Sequence, residues 1–178
     1  MSDKIRIDGA SWISPKDYIT EVPDFPIEGI GFKDISPLLA NEEMFGDVIV
    51  EMRNLIHRVP DYWIGIDARG FIFASALATY CGGGVVMCRK AGKLPPPVES
   101  ASYALEYDVA TLQMKKGKGT AVIVDDVFAT GGTLRAVNYL AEKAGYDVQD
   151  NLVLMDLLYL PTVEDFNFKV KSLIQYNE

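Results

Sequence analysis

The sequence predicts an α/β domain with a mainly parallel central sheet flanked by helices, on three observations. Short apolar runs rich in β-branched residues alternate with segments of helical period. Pro60, Gly82 to Gly84 and Gly145 punctuate the helical segments where each should stop. Polar clusters follow the strand-like runs, the arrangement in which strand ends carry the chemistry.

The elements follow in order. Residues 41 to 58 read as a helix: Asn41 caps it, Glu42 and Glu43 suit the positive end of its dipole, and Met44, Val48, Met52, Leu55 and Ile56 form one stripe before Pro60. "YWIGID" (62 to 67) reads as a buried strand, 70 to 80 as a helix closed by the glycines at 82 to 84, and "VVMCR" (85 to 89) as a second strand, making a βαβ unit. Regular alternation breaks over 90 to 118, where three prolines and a set of lysines surround a short alternating stretch. An insertion of that length in a compact domain suggests a functional, flexible lid. A strand at 120 to 124, a helix at 133 to 144 stopped by Gly145 and a strand at 151 to 160 follow, and a last strand around "FKVKSLIQY" closes the sheet. The whole chain, 1 to 178, is expected to be one domain, with residues 1 to 40 as a small N-terminal hood whose pattern is mixed.

Composition narrows the class. A chain of 178 residues buries roughly 70% of the surface its unfolded form exposes. Its 49% hydrophobic and 24% charged residues are the balance of a soluble globular protein. Seventeen basic against twenty-five acidic residues give a net charge of -8, which argues against broad binding to nucleic acid or anionic lipid, so an anionic ligand needs a local pocket. The N-terminus lacks the pattern of a signal peptide and no run of 18 apolar residues occurs, so the expected location is the cytoplasm. Cys81 and Cys88 read as small buried apolar residues, His57 as a surface or packing residue, and Trp12 and Trp63 as packing residues.

Ligands of such sheets sit beyond the carboxyl ends of the strands, here after Asp67, Arg89 and Val124. The third position opens the stretch "VIVDDVFATGGT" (122 to 133). Gly131 and Gly132 let consecutive N–H groups point into one concavity, the helix starting near Thr133 adds its dipole, and Thr130 and Thr133 add hydroxyls, so a monophosphate fits. Asp125 and Asp126 suit the two hydroxyls of a ribose or the waters around a divalent cation. Ribose phosphate uses every part. The bland alternative is an acid-rich turn before a helix, with no ligand. Neither G-x-x-x-x-G-K-[ST] nor G-x-G-x-x-G is present in the stretch, which removes the ATPase and dinucleotide readings.

This stretch resembles the phosphoribosyl pyrophosphate motif of the type I phosphoribosyltransferases. "DFPIEGIGFKDISPLL" (24 to 39), "GIDARGFIFASALA" (65 to 78) and "CRKAGKLPPPVESASYALEYDVATLQM" (88 to 114) resemble, in order and spacing, segments of the adenine phosphoribosyltransferase family. The resemblance spans nearly the whole chain. It implies transfer of the phosphoribosyl group to adenine, giving AMP and pyrophosphate in purine salvage. It further implies Mg²⁺ bound mainly through the substrate, with no direct protein ligands, and a homodimer.

Site roles follow from the same resemblance. Asp125, Asp126 and the loop Ala129, Thr130, Gly131, Gly132 and Thr133 are expected to hold the ribose 5-phosphate. Ala68, Arg69 and Gly70, with Arg89, Lys90 and Lys93, are expected at the pyrophosphate, the second trio across a dimer interface; the alternative for Arg69 is an ion pair with Asp67. Glu106 matches a lid glutamate that acts as general acid or base near the purine, with Arg69 as the second catalytic candidate; the alternative is an exposed hairpin glutamate. Adenine is expected between Phe32 and Leu157 or Leu158, its edge read by the main chain at Gly31 and Lys33, unless Phe32 is an ordinary core aromatic. Lys33, Pro96, Pro97 and Asp108 depart from the family's usual residues and bear on base preference and the lid. The other functional readings are a phosphoribosyltransferase for another purine and a non-catalytic sensor of nucleotide or phosphoribosyl pyrophosphate.

Overall fold

The computed structural model describes residues 5–7, 11–104, 109–163 and 166–178. These fall into two compact units, Met1–Glu51 and Met52–Glu178.

In the first unit, β1 (Ile5–Ile7) pairs antiparallel with β2 (Ser11–Ile13), and β3 (Thr20–Val22) with β4 (Phe32–Asp34). A short helix α1 (Ser36–Ala40) follows, then α2 (Glu42–Asn54), along which the unit boundary falls. Asn41 caps as expected: its Oδ1 accepts from the Met44 N–H at 2.9 Å. The helix ends four residues before the expected span of 41 to 58 does. Leu55 and Ile56 donate instead to Met52 and Arg53 in tight i→i−3 bonds, and Arg53 Nη1 donates to the Ile56 carbonyl at 3.0 Å, closing the last turn.

The second unit is a seven-stranded sheet in the order β11-β10-β9-β5-β6-β8-β7. Its strands are β5 (Tyr62–Ile66), β6 (Gly84–Lys90), β7 (Glu99–Ala104), β8 (Val109–Met114), β9 (Gly119–Phe128), β10 (Tyr146–Leu157) and β11 (Val170–Tyr176). The five strands from β11 to β6 are parallel, and the last strand closes one edge as the sequence suggested. β8 and β7 add antiparallel to the other edge. The irregular insertion at 90 to 118 therefore contains a hairpin that extends the sheet.

Helices α3 (Gly70–Cys81) and α4 (Gly132–Ala144) cover opposite faces. A Cβ on Gly65 would stand 3.0 Å from that of Ala74, so β5 and α3 approach closely on the face that carries Trp63. The alternate residues Ile64, Ile66, Ala121 and Ile123 pack with Leu134, Val137, Leu140 and Ala141 of α4. Both helices stop at glycines with positive φ, Gly82 at 92° and Gly145 at 102°. Trp63 is fully buried and donates to the Gly82 carbonyl at 2.8 Å, tying the end of α3 to the start of β5.

Two strands run longer than their sequence pattern. β9 does not stop at Val124 but continues to Phe128, because Asp125 and Val127 stay in register with Val153 and Met155 of β10. β10 begins at Tyr146, directly after the cap of α4, and ends at Leu157 rather than residue 160.

Candidate active site

The acid pair sits on the last residues of a central strand. Asp126 is buried and Asp125 half-buried. Asp125 Oδ1 accepts the Asp126 N–H at 2.9 Å. Burial raises both carboxyls above the ordinary carboxylate range, repulsion from Asp126 raises Asp125 further, and the Arg69 guanidinium works against burial at Asp126.

Arg69 reaches Asp126 from the turn between β5 and α3, with Nη2 2.9 Å from Oδ2. The alternative partner, Asp67, is engaged elsewhere. Ile66 pairs with Cys88, which sets Asp67 beside Arg89, and Arg89 Nε donates to Asp67 Oδ2 at 3.0 Å. Arg89 also donates to the Lys93 carbonyl at 3.3 Å and lies over the Phe71 ring, 5.7 Å from its centroid. Gly70 is required by close approach: a Cβ there would stand 2.5 Å from the Val124 carbonyl oxygen.

A cleft of about 220 Å³ joins these parts, lined among others by Ala68, Arg69, Lys90, Asp125, Asp126 and Thr133. A second hollow of about 130 Å³ lies in the loop from Ala129 to Thr133. Gly131, at φ 87°, occupies the N-cap position of α4 and offers no side chain to its first N–H groups. Those donors and the dipole behind them suit a phosphate. A Cβ on Gly131 would meet the rings of Phe166 at 3.0 Å and Phe128 at 3.1 Å, and the Val163 N–H donates to the Thr130 carbonyl at 2.8 Å. This aromatic backing has no counterpart in the sequence reading, since more than thirty residues separate Phe166 from the loop it supports.

Of the expected residues in this unit, the two hollows bring together Ala68, Arg69, Lys90, the acid pair and Ala129 to Thr133. Arg89 and Lys93 do not line them. Leu157 is buried at the end of β10, and Leu158 is exposed, its N–H donating to the Tyr176 carbonyl at 2.9 Å. Asp156, which no motif marks, is a buried carboxylate at the same strand end, in register with Phe128; burial raises its pKa, and no hydrogen bond reaches its Oδ1. An acid inside the apolar run "LVLMDLL" was the available signal.

Within the first unit, Phe32 is half-buried and meets Phe25 edge to face at 5.1 Å between centroids. The Lys33 side chain is buried and pairs with Glu21 at 2.8 Å, as the register of β3 and β4 places them opposite one another. Gly31 is exposed beside them. Glu106, the lid candidate, and Asp108 lie outside the described residues. Among the described residues no group of three or more His, Cys, Asp or Glu side chains gathers to hold a metal.

Residues 38–149 match the model of the phosphoribosyl transferase domain family. The chain is 47% identical over 165 residues to adenine phosphoribosyltransferase of Bdellovibrio bacteriovorus, covering 90% of this chain and 98% of the relative. The crystal structure of adenine phosphoribosyltransferase from Thermoanaerobacter pseudethanolicus superposes with a TM-score of 0.82 at 38% identity, over 90% of this chain and 97% of that one. The Giardia lamblia enzyme, solved with 9-deazaadenine, superposes with a TM-score of 0.84 at 32% identity, over 92% and 97% of the two chains.

Proposed function

We infer the reaction from membership: this chain belongs to the adenine phosphoribosyltransferase family, and it transfers the 5-phosphoribosyl group from phosphoribosyl pyrophosphate to adenine, giving AMP and pyrophosphate in purine salvage. The observation that carries the site assignment is the acid pair at the end of β9 beside the uncapped turn at Gly131, one suited to ribose hydroxyls and the other to a phosphate.

The bond between the anomeric carbon and pyrophosphate breaks with its electron pair leaving on pyrophosphate, and adenine N9 forms the new bond as it gives up its proton. Cationic character grows on the ribose as the polyanion departs. Thr130 to Thr133 hold the 5-phosphate, Asp125 and Asp126 face the ribose hydroxyls, and Arg69 and Lys90 receive the departing pyrophosphate. Pyrophosphate then competes with Asp126 for the Arg69 guanidinium. Glu106 takes or orders the N9 proton. Within the first unit, Phe32 offers the ring for purine stacking and the Gly31 and Lys33 main chain a donor and acceptor for its edge; within the second, Leu157 or Leu158 offers an apolar contact. The ion pair with Glu21 commits the Lys33 side chain and supports a main-chain role there.

The donor set fits magnesium brought by the substrate: two adjacent carboxylates lining the cleft suit an ion that keeps its waters and is held through phosphates. When bound, Mg²⁺ neutralises charge building on the pyrophosphate. A homodimer is supported by exposed Ile72 and Tyr80 of α3 beside exposed Val85 and Met87 of β6. Two free cysteines fit a reducing, cytoplasmic setting.

The test is AMP formation from adenine, phosphoribosyl pyrophosphate and Mg²⁺, run beside hypoxanthine, guanine and xanthine and with a chelator. Magnesium-dependent turnover of adenine alone supports the reading. Preference for another base moves the enzyme within the superfamily, and binding of phosphoribosyl pyrophosphate without turnover favours a sensor.

A further inference from the structure

A cleft of about 610 Å³ opens at the other end of the strands, where β5 and β9 begin, and is larger than either hollow at the active site. That size is usual for small-molecule sites. It is lined by polar groups from four segments, including Arg58, Asp61, Thr120, Gln149, Lys169 and Lys171.

Its framework is built rather than incidental. The Asp61 N–H donates to Thr120 Oγ1 at 3.0 Å, while Asp61 Oδ2 accepts from the Thr120 N–H at 2.8 Å and from its hydroxyl at 2.9 Å. These bonds lower the Asp61 pKa. Gly119, at φ 140°, admits this clamp, since a Cβ there would stand 2.8 Å from Asp61 Oδ2. On the neighbouring strand the parallel register of β9 and β10 breaks between Val148 and Asp150, leaving Gln149 as a bulge at the cleft. Bulges are uncommon between parallel strands and re-aim side chains next to sites.

The charges are divided unevenly. Asp150 is paired with Lys171 at 2.9 Å and Asp61 is held by Thr120, so both carboxylates are engaged. Among the described residues Arg58 and Lys169 have no ion-pair partner. Three cations against two carboxylates make a local positive site on a chain of net charge -8. Val59 and Pro60 add an apolar wall, and the Gln149 amide offers a donor and an acceptor.

We propose that this cleft, at the opposite end of the sheet from the acid pair, is a second binding site for a small phosphate monoester carrying a polar, hydroxylated body. Arg58 and Lys169 take the phosphate, and the Gln149 amide takes hydroxyls. None of these residues belongs to the proposed catalytic machinery, so the site stands or falls independently of the reaction.

The experiment uses the full chain and its Arg58→Ser/Lys169→Ser double variant, whose changes lie on the surface. Each is titrated with ribose 5-phosphate by calorimetry, and backbone amide shifts are followed by NMR. Expected are two equivalents bound per wild-type chain, with shifts at Thr120 and Gln149 as well as at Gly131 to Thr133. The variant should retain one equivalent and the Gly131 to Thr133 shifts while losing those at Thr120 and Gln149. Gln149→Ala should weaken only the second equivalent. A single equivalent in both proteins, or wild-type shifts confined to residues 131 to 133, would overturn the proposal.

Discussion

Arg69 and Asp126 form an ion pair of 2.9 Å in which the carboxylate is buried and the guanidinium is about a third exposed, at 34%. The pair links the turn after β5 to the end of β9. Removing the cation leaves a buried carboxylate without its main counterweight, whereas lysine restores charge but not the planar fork. Arg69→Ala is expected to lower kcat/KM for phosphoribosyl pyrophosphate by about tenfold to a hundredfold, from about 1.5–3 kcal/mol per charged hydrogen bond. Arg69→Lys should recover only part of it. Steady-state kinetics at fixed adenine reads both, and wild-type values in Arg69→Ala would remove the residue from the site.

The acid pair predicts a stability that falls with rising pH. Both carboxyls have their pKa raised in the folded protein, so the folded state binds more protons than the unfolded one above the ordinary carboxylate range. Their contribution is fully present below that range and is lost as pH rises through the raised values. Asp125→Asn removes the repulsion, so its melting temperature at neutral pH should exceed that of the wild type and converge with it in acid. The same variant should lose kcat/KM by about tenfold or more. Thermal melts across pH, with and without the substitution, check the sign.

Gly131→Ala tests the phosphate turn. The residue holds φ 87°, and its new Cβ would press on Phe166 at 3.0 Å. A left-handed non-glycine residue costs about 1–2 kcal/mol. Lower stability with a raised KM for phosphoribosyl pyrophosphate is expected, and an unchanged KM would place the phosphate elsewhere.

The thiols should react unequally. Burial is the main cause that pushes Cys88 up to about 12, while Cys81 is partly exposed with its pKa raised by burial. A thiol reagent near neutral pH should therefore modify Cys88 only after unfolding, and Cys81 slowly in the native protein. Rapid native titration of both thiols would contradict the buried placement of Cys88.

Glu106→Gln is expected to lower kcat by about 10²- to 10⁴-fold with little change in adenine affinity. Comparison of turnover with adenine binding by calorimetry separates this from a role in holding the base. Normal turnover would return Glu106 to an ordinary hairpin residue.

The sequence by itself determined the order of elements in the sheet-bearing unit, because alternation, helical period and glycine or proline stops are local properties. It also determined the candidate phosphate turn, since Thr-Gly-Gly-Thr before a helix is a contiguous signal, and the family, carried by several ordered motifs. Tertiary structure decided what depends on pairing between distant segments. The parallel register with β10 carried β9 past Val124, so the acids stand in a strand, and the register of β5 with β6 gave Asp67 to Arg89 and left Arg69 for Asp126. Phe166 behind Gly131, the buried Asp156 and the cleft beside the Gln149 bulge likewise arise from segments far apart in the chain. The physical reason is that hydrogen-bonded register is chosen by the whole sheet, whereas propensity and turn chemistry act over a few residues.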